Sequence, residues 1–231
     1  MPSCGRSLHN LVLVGFMGAG KSTVGRLLSD ALGMPFCDTD TLIVERVGMS
    51  IPQIFAEQGE PYFRRVEAEV VQEVARESGR VIATGGGALA DPETLSVLLR
   101  DNLVVWLAAP LEVLLARARS EGNRPLLVEV SQDRVRRLYE SRMPQYAQAH
   151  LVVRADDSPE RLAKIIQGHW KFKRRGEAAA RQVKIDAGHD GYTVHVGSNL
   201  LECFPELVPC LPGQGLLITD SNVAPLYAER A

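Results

Sequence analysis

The sequence predicts an α/β fold in which helices cover both faces of a central parallel sheet, giving three αβα layers. Short apolar runs at residues 11–14, 81–83 and 103–107 are typical of buried parallel strands. Segments with apolar residues at helical spacing alternate with these runs, and glycines follow two of them. Sheets of this kind bind ligands beyond the carboxyl ends of their strands, so a binding site is expected at those glycines.

The remaining elements continue this alternation in chain order. Helices are predicted over residues 21–32, 50–55, 62–78, 110–118, 131–149 and 158–168. Further short strands are predicted over residues 35–37 and 151–153. Ser50 and Gln53 have the spacing of a capping box, and Gly33 and Gly79 are placed to end the helices before them.

The composition changes after residue 168 and predicts three regions. Residues 8–168 are expected to form one domain, residues 169–182 a basic and then alanine-rich linker, and residues 183–231 an incomplete α/β segment. Strand-like alternation supports the last assignment at 183–186, 192–197 and 215–219.

Charge and hydropathy exclude several functional classes. The formal net charge is −2, which gives no basis for a nucleic-acid partner. No apolar run approaches the roughly 18 residues needed to span a bilayer, so no membrane partner is expected. The four cysteines are scattered without a CxxC pair, which indicates reduced thiols. The first ten residues lack the apolar core of a signal peptide, and we therefore expect a cytoplasmic protein.

The turn after the first strand carries the most specific motif. Residues 15–23 match G-x-x-x-x-G-K-[ST] between a strand and a helix, which is the context that a phosphate-binding P-loop requires. Backbone N–H groups and the helix N-terminus would hold phosphate oxygens. Lys21 would reach the β- and γ-phosphates, and the Ser22 hydroxyl would ligate magnesium. The alternative is a glycine-rich turn with an exposed lysine, but the motif favours a P-loop NTPase fold.

Two carboxylates follow the second strand. Asp38 and Asp40 are expected on one side of an extended segment, because alternate residues of a strand face the same way. One carboxylate could hold magnesium through water, and the other could accept the proton of a substrate hydroxyl. A pair that only stabilises a turn is the alternative.

Three arginines and a glycine triplet complete the candidate residues. Arg64 and Arg142 suit bidentate capture of a carboxylate, and residues 85–87 would let backbone amides approach a ligand. Arg124 lies in a polar stretch between two helices, which could close over ATP and bring a cation to the moving phosphoryl group. Taken singly, Arg64 and Arg142 are also compatible with ordinary surface charges. The glycine triplet is compatible with a flexible turn, and the stretch around Arg124 with an ordinary surface loop.

Together these motifs closely resemble the shikimate kinase family from about residue 11 to residue 166. The segments that carry the resemblance are GAGKST, DTD, SIPQIFAEQGEPYFRRVE, TGGGA, RPLL and SRMPQY. The resemblance implies transfer of the γ-phosphate of ATP, with Mg2+, to the 3-hydroxyl of shikimate in the chorismate pathway of aromatic amino acid biosynthesis. A small residue is frequent in this family at the position of His150, outside these motifs.

The resemblance also assigns individual residues. It implies ATP contacts at Gly18, Ala19, Gly20, Lys21, Ser22, Thr23, Arg117 and Arg124. It implies shikimate contacts at Asp40, Arg64, Gly86 and Arg142, and magnesium contacts at Ser22 directly and at Asp38 through water. The expected catalytic residues are Lys21, Asp40 and Arg124, and the kinase domain is expected to be a monomer.

The last segment resembles a different enzyme. YTVHVGSNLLECFPELVP and GLLITDSNVAPLY are similar to the opening of 3-dehydroquinate synthase, over about 50 residues that end before that family's cofactor loop and metal ligands. We therefore expect a piece of a bifunctional kinase–synthase, or a kinase that carries a synthase remnant. Three alternatives remain open: another small-molecule kinase for gluconate or a nucleoside, a nucleotide-binding scaffold without turnover, and a protein active mainly through the synthase-like segment.

Overall fold

The computed structural model describes residues 8–120, 132–174, 181–185 and 192–196. The chain divides into two compact units, of which the larger spans Leu8–Ile166 and the other includes the chain from Gln167 onward. The candidate site lies within the larger unit.

The elements of the larger unit alternate as the sequence predicts. In chain order they are β1 (Leu11–Val14), α1 (Lys21–Leu32), β2 (Phe36–Asp38), α2 (Thr39–Val47), α3 (Ile51–Glu57), α4 (Gly59–Arg76), β3 (Val81–Ala83), a short 3-10 helix (Ala88–Ala90), α5 (Pro92–Asp101), β4 (Leu103–Ala108), α6 (Leu111–Ser120), α7 (Gln132–Tyr146) and β5 (Leu151–Arg154). Helix α8 (Pro159–Arg174) follows and continues past Gln167.

The five strands form one parallel sheet in the order β2-β3-β1-β4-β5. Every residue of β1 is fully buried, because helices cover both faces of a central parallel strand. Strands β1, β2 and β3 are neighbours, with Leu13 opposite Ala83 and Ala83 opposite Asp38. Their carboxyl ends therefore bring the glycine loop, the aspartates and the glycine triplet to one edge of the sheet. The predicted fold class is confirmed.

Two helices were not predicted. Helix α2 begins directly after Asp38, whose side chain accepts a hydrogen bond from the backbone N–H of Asp40. Helix α5 begins after Asp91, which caps it through the N–H of Thr94 at 2.7 Å and is followed by a proline at the first position. Both starts use the preferred N-cap chemistry of aspartate.

Other boundaries shift by a few residues. Helix α4 begins at Gly59, three residues before the predicted start, and α7 ends at Tyr146 instead of residue 149. Helix α8 ends at Arg174, so it continues six residues past the predicted end at 168. The helix therefore covers the first part of the predicted linker, while the domain boundaries themselves stay a prediction.

In the second unit, β6 (Arg181–Ile185) and β7 (Tyr192–Val196) form an antiparallel pair with Val183 opposite Val194. These strands agree with the alternation predicted near 183 and 192, and the strand predicted at 215–219 lies outside the described residues. No helix in the described ranges combines the length and apolar character required to cross a bilayer.

Candidate active site

The loop between β1 and α1 can take its path only with glycine at certain positions. Gly18 and Gly20 have φ angles of 75° and 81°, in the left-handed region that favours glycine. A Cβ atom on Gly18 would also collide with the carbonyl oxygen of Leu114 in α6. The loop borders a polar hollow of about 100 Å³. Its lining residues are Gly18, Gly20, Lys21, Ser22, Thr23, Asp38, Asp40, Thr84 and Gly86. Most of the predicted phosphate-loop residues therefore share one small cavity.

Lys21 and Ser22 occupy the first turn of α1, at the edge of this hollow. The ammonium of Lys21 donates to the carbonyls of Gly15 at 2.9 Å and Phe16 at 3.1 Å, so it lies along the loop. The hydroxyl of Ser22 donates to Oδ2 of Asp38 at 2.8 Å. A hydroxyl and a carboxylate oxygen this close suit a small hard cation that keeps most of its water ligands, as Mg2+ does.

The structure brings Asp38 and Asp40 to the same hollow, but not through an extended segment as predicted. Asp38 ends β2 and caps α2, and Asp40 lies in the first turn of that helix. A hydrogen bond of 3.1 Å from the Asp40 N–H to Asp38 Oδ1 holds the Asp38 carboxylate against the first turn of α2. An N-cap carboxylate accepts from the free N–H groups of that turn. The buried hydroxyl of Thr39 accepts from the Gly85 N–H at 3.0 Å, which fixes the glycine triplet beside α2.

A larger cleft of about 720 Å³ adjoins the hollow. Its charged lining comes from Asp40, Glu60, Arg64, Glu67, Arg134, Arg137 and Arg142, and its apolar lining from Met17, Ile51, Phe55, Phe63, Val135 and Leu138. Asp40 and Gly86 line both cavities. A molecule in the cleft would therefore meet a phosphate held by the loop at these two residues.

Arg64 of α4 and Arg142 of α7 converge over the glycine triplet, although 78 positions separate them in the sequence. A Cβ atom on Gly87 would collide with Nη1 of Arg64 and lie 3.3 Å from Nη2 of Arg142. A Cβ atom on Gly86 would lie 3.1 Å from Nη1 of Arg142. The triplet thus leaves room for two guanidinium groups side by side, which is the arrangement that captures a carboxylate.

Glu67 is a site residue that sequence reasoning missed. Its side chain is only 3% exposed, and its Oε2 accepts from Nη1 of Arg64 at 2.7 Å. Burial raises the pKa of this carboxyl, while Arg64 opposes the shift. A Cβ atom on Gly85 would lie 2.6 Å from Oε1 of Glu67 and 2.8 Å from Oδ1 of Asp40, so the two carboxylates flank that glycine. Glu67 holds Arg64 in place and adds negative charge near Asp40.

Tyr146 is a second missed residue, at the end of α7. It is 2% exposed, stacks on Trp106 with ring centroids 5.7 Å apart, and donates its hydroxyl to the carbonyl of Gly86 at 2.6 Å. Burial raises its pKa to about 12, with Arg142 opposing the shift, so the phenol remains a donor at neutral pH. Tyr146 therefore holds the backbone at the junction of the two cavities.

Two predicted ATP contacts, Arg117 and Arg124, lie outside the phosphate loop in the sequence. Arg117 of α6 donates from Nη1 to the carbonyl of Ala155 at 2.6 Å, and it lines neither the hollow nor the cleft. The ATP contact assigned to it stays a prediction. Arg124 lies outside the described residues.

A sequence model of the family described as shikimate kinase matches residues 17–178. The shikimate kinase of Geobacter metallireducens is 47% identical over 146 residues, which cover 63% of this chain and 82% of that relative. A solved shikimate kinase from Acinetobacter baumannii, in complex with shikimate, superposes with a TM-score of 0.66 at 34% identity and covers 75% of this chain and 97% of its own. A sugar kinase from Janibacter has a TM-score of 0.50 at 17% identity, over 73% of this chain and 98% of its own, which shows a shared fold alone.

The phosphate loop, the parallel sheet and these similarities define an ATP-dependent kinase, a phosphotransferase of the P-loop class. Within that class, the chain belongs to the shikimate kinase family.

Proposed function

We propose that this protein transfers the γ-phosphate of magnesium-bound ATP to the 3-hydroxyl of shikimate, in the pathway to chorismate and the aromatic amino acids. The observation that carries the proposal is the junction formed by Asp40 and Gly86, which line both the phosphate hollow and the arginine cleft. An acceptor bound in the cleft can therefore present a hydroxyl to a phosphoryl group bound by the loop.

The chemistry of the cleft matches a small cyclic acid. Arg64 and Arg142 together provide paired donors for a carboxylate, which lysines in the same places would not provide with that geometry. Apolar side chains such as Phe55 and Leu138 would contact the faces of the ring. A nucleoside would leave the two converging arginines without an anion. Gluconate does carry a carboxylate, but its open chain lacks the ring that these apolar side chains would contact.

The catalytic roles follow from the position of each group. Asp40 would orient the acceptor hydroxyl and accept its proton, because its carboxylate stands between the cleft and the hollow. Lys21 would exchange its loop carbonyls for oxygens of the β- and γ-phosphates, and Arg124 is predicted to add a second cation. Positioning and charge stabilisation of this kind supply most of the rate enhancement in phosphoryl transfer.

Magnesium fits the oxygen pair at the base of the hollow. Ser22 would ligate the ion directly, and Asp38 would hold it through a bound water, since the two side chains lie 2.8 Å apart. A bound magnesium ion would neutralise charge on the β- and γ-phosphate oxygens.

Residues 183–231 are proposed to form a segment like the opening of 3-dehydroquinate synthase. The antiparallel pair β6–β7 supports the strand predictions made for that segment, and the resemblance to 3-dehydroquinate synthase is confined to its sequence. The kinase would then be one half of a bifunctional protein that supplies two steps of the same pathway.

An acceptor panel tests the proposed kinase activity. ADP release should depend on shikimate and should stay near the background rate with gluconate or with nucleosides. Arg142→Ala should raise the shikimate KM strongly and leave the ATP KM nearly unchanged, because loss of a desolvated charged contact costs about 2–5 kcal/mol. Turnover with a sugar or nucleoside and none with shikimate would overturn the proposal.

A further inference from the structure

The α7 wall of the cleft carries more positive charge than capture of one carboxylate requires. Arg134, Arg137 and Arg142 all line the cleft from this helix, and no acidic residue of α7 lines it with them. Arg142 lies deep, beside the glycine triplet and over the ring of Phe16. Arg134 and Arg137 are exposed and lie earlier along the helix.

Both carboxylates that α4 contributes to the opposite wall are paired with Arg64. Glu60 accepts from Nε and Nη2 of Arg64 at 3.2 and 3.0 Å, and the buried Glu67 accepts from Nη1 at 2.7 Å. By contrast, within the described part of the chain no ion pair joins Arg134 or Arg137 to a carboxylate. The cleft therefore has one wall whose carboxylates are paired and one wall with a surplus of positive charge.

Helix α7 is held rigidly enough for this surplus to keep its place. The ring of Tyr139 packs edge-on against Phe16 of the phosphate loop at 5.4 Å, and its hydroxyl donates to the carbonyl of Ala109 at 3.1 Å. Val135, one turn earlier, is 6% exposed and lines the cleft. Arg134 and Arg137 flank this anchored residue, so their charges stay at the cleft.

We propose that Arg134 and Arg137 form an anion-attracting entrance that draws the acceptor carboxylate towards Arg64 and Arg142. The proposal rests on the proposed function, since it requires an acceptor with a carboxylate. A surface that carries charge of one sign, as the α7 wall does, concentrates ions of the opposite sign and raises their association rates. The entrance acts before the acceptor is seated, so it affects capture of the acid and leaves the phosphoryl transfer step and ATP binding unchanged.

The test compares a double variant with a control on the same helix. Arg134→Gln/Arg137→Gln removes the entrance charge, whereas Arg136→Gln removes a charge from an exposed residue that does not line the cleft. Arg134→Lys/Arg137→Lys keeps both positive charges but replaces the planar guanidinium groups with ammonium groups. Steady-state kinetics with shikimate are measured at about 30 mM and about 500 mM ionic strength, between which the Debye length falls from about 18 Å to about 4 Å.

The double glutamine variant should raise the shikimate KM by about threefold to tenfold at low ionic strength and by less than about twofold at high ionic strength. Its kcat and ATP KM should match the wild type, the Arg136→Gln control should behave as wild type, and the lysine pair should restore the KM. A double glutamine variant whose shikimate KM equals that of the Arg136→Gln control at low ionic strength would contradict the proposed entrance. So would a raised KM that persists at high salt and is not restored by lysine. Absence of shikimate turnover in the wild type would instead overturn the proposed function, and the entrance with it.

Discussion

Replacing Arg64 with alanine should cost folding stability as well as acceptor binding, because Arg64 neutralises a buried carboxylate. The Glu67 side chain is 3% exposed, whereas that of Arg64 is 33% exposed. Removing one partner of a fully buried ion pair costs about 3–5 kcal/mol. Since water reaches Arg64 and screens the pair, we expect the free energy of unfolding to fall by about 1–3 kcal/mol.

The pH dependence of this loss follows from the pKa of Glu67. Burial raises that pKa above its ordinary value of 4.5, and Arg64 opposes the rise. Without Arg64 the pKa in the folded state rises further, so the folded protein binds the proton more tightly than the unfolded chain does. Stability that depends on the protonated acid is present below the unfolded pKa and is lost as the pH rises through the folded pKa. The variant should therefore be least stable above that range and recover as the pH falls towards 4.5.

Urea unfolding followed by circular dichroism, at about pH 8 and about pH 5, measures this change. Adding Glu67→Gln to Arg64→Ala should recover most of the stability without recovering the shikimate KM. Arg46→Ala is the matched control, because its partner Glu73 is 55% exposed and such surface pairs contribute about 1 kcal/mol or less. A loss that is the same at both pH values, or a double variant as unstable as the single one, would refute the reasoning.

Three further changes have defined outcomes. Lys21→Ala should lower kcat by orders of magnitude and leave the unfolding transition unchanged, since it removes phosphate stabilisation and not core packing; near-normal turnover would contradict the role of the loop. Tyr146→Phe should raise the shikimate KM several-fold with little change in the ATP KM, because the hydrogen bond that holds Gly86 contributes about 1 kcal/mol; equal effects on both substrates would point to general loosening. Deleting residues 179–231 should leave kinase turnover and the thermal midpoint nearly unchanged, since the family match ends at residue 178; a large fall in either would show that the deleted segment supports the kinase.

The phosphate loop and the sheet were predictable because their signals are local. The motif that contains Lys21 and Ser22 sits between one strand and one helix, and its backbone path depends on glycines that the sequence shows directly. The parallel order of the strands followed from their alternation with helices.

Asp38 and Asp40 reach one cavity, but the backbone conformation predicted for the pair was wrong. Both were expected in one extended segment. Asp38 does end the extended strand β2, but it is also the N-cap of α2, and Asp40 already belongs to that helix. An aspartate at the end of a strand can be followed either by further extended chain or by a helix that it caps. The short apolar stretch after Asp40 has no strong helical periodicity that would distinguish these two cases. The start of α5 did carry a readable signal, since Asp91 followed by Pro92 is a common helix opening.

Glu67 and Tyr146 were missed because their roles depend on contacts across the fold. Glu67 stands on the apolar face of α4 beside Phe63 and Val70, and a charged residue on such a face was the signal available in the sequence. The contact between Tyr146 and Gly86 joins residues 60 positions apart. No spacing in a single sequence predicts a pair of that kind.

Identification of the product tests the central claim most directly. Phosphorus NMR of a reaction that contains the protein, MgATP and shikimate should show ADP and one new phosphate monoester, with carbon–phosphorus coupling that places the phosphate on the 3-hydroxyl. Inorganic phosphate as the only new signal would reduce the protein to an ATPase, and a phosphate on another hydroxyl would contradict the orientation of the acceptor that is proposed for Asp40, Arg64 and Arg142.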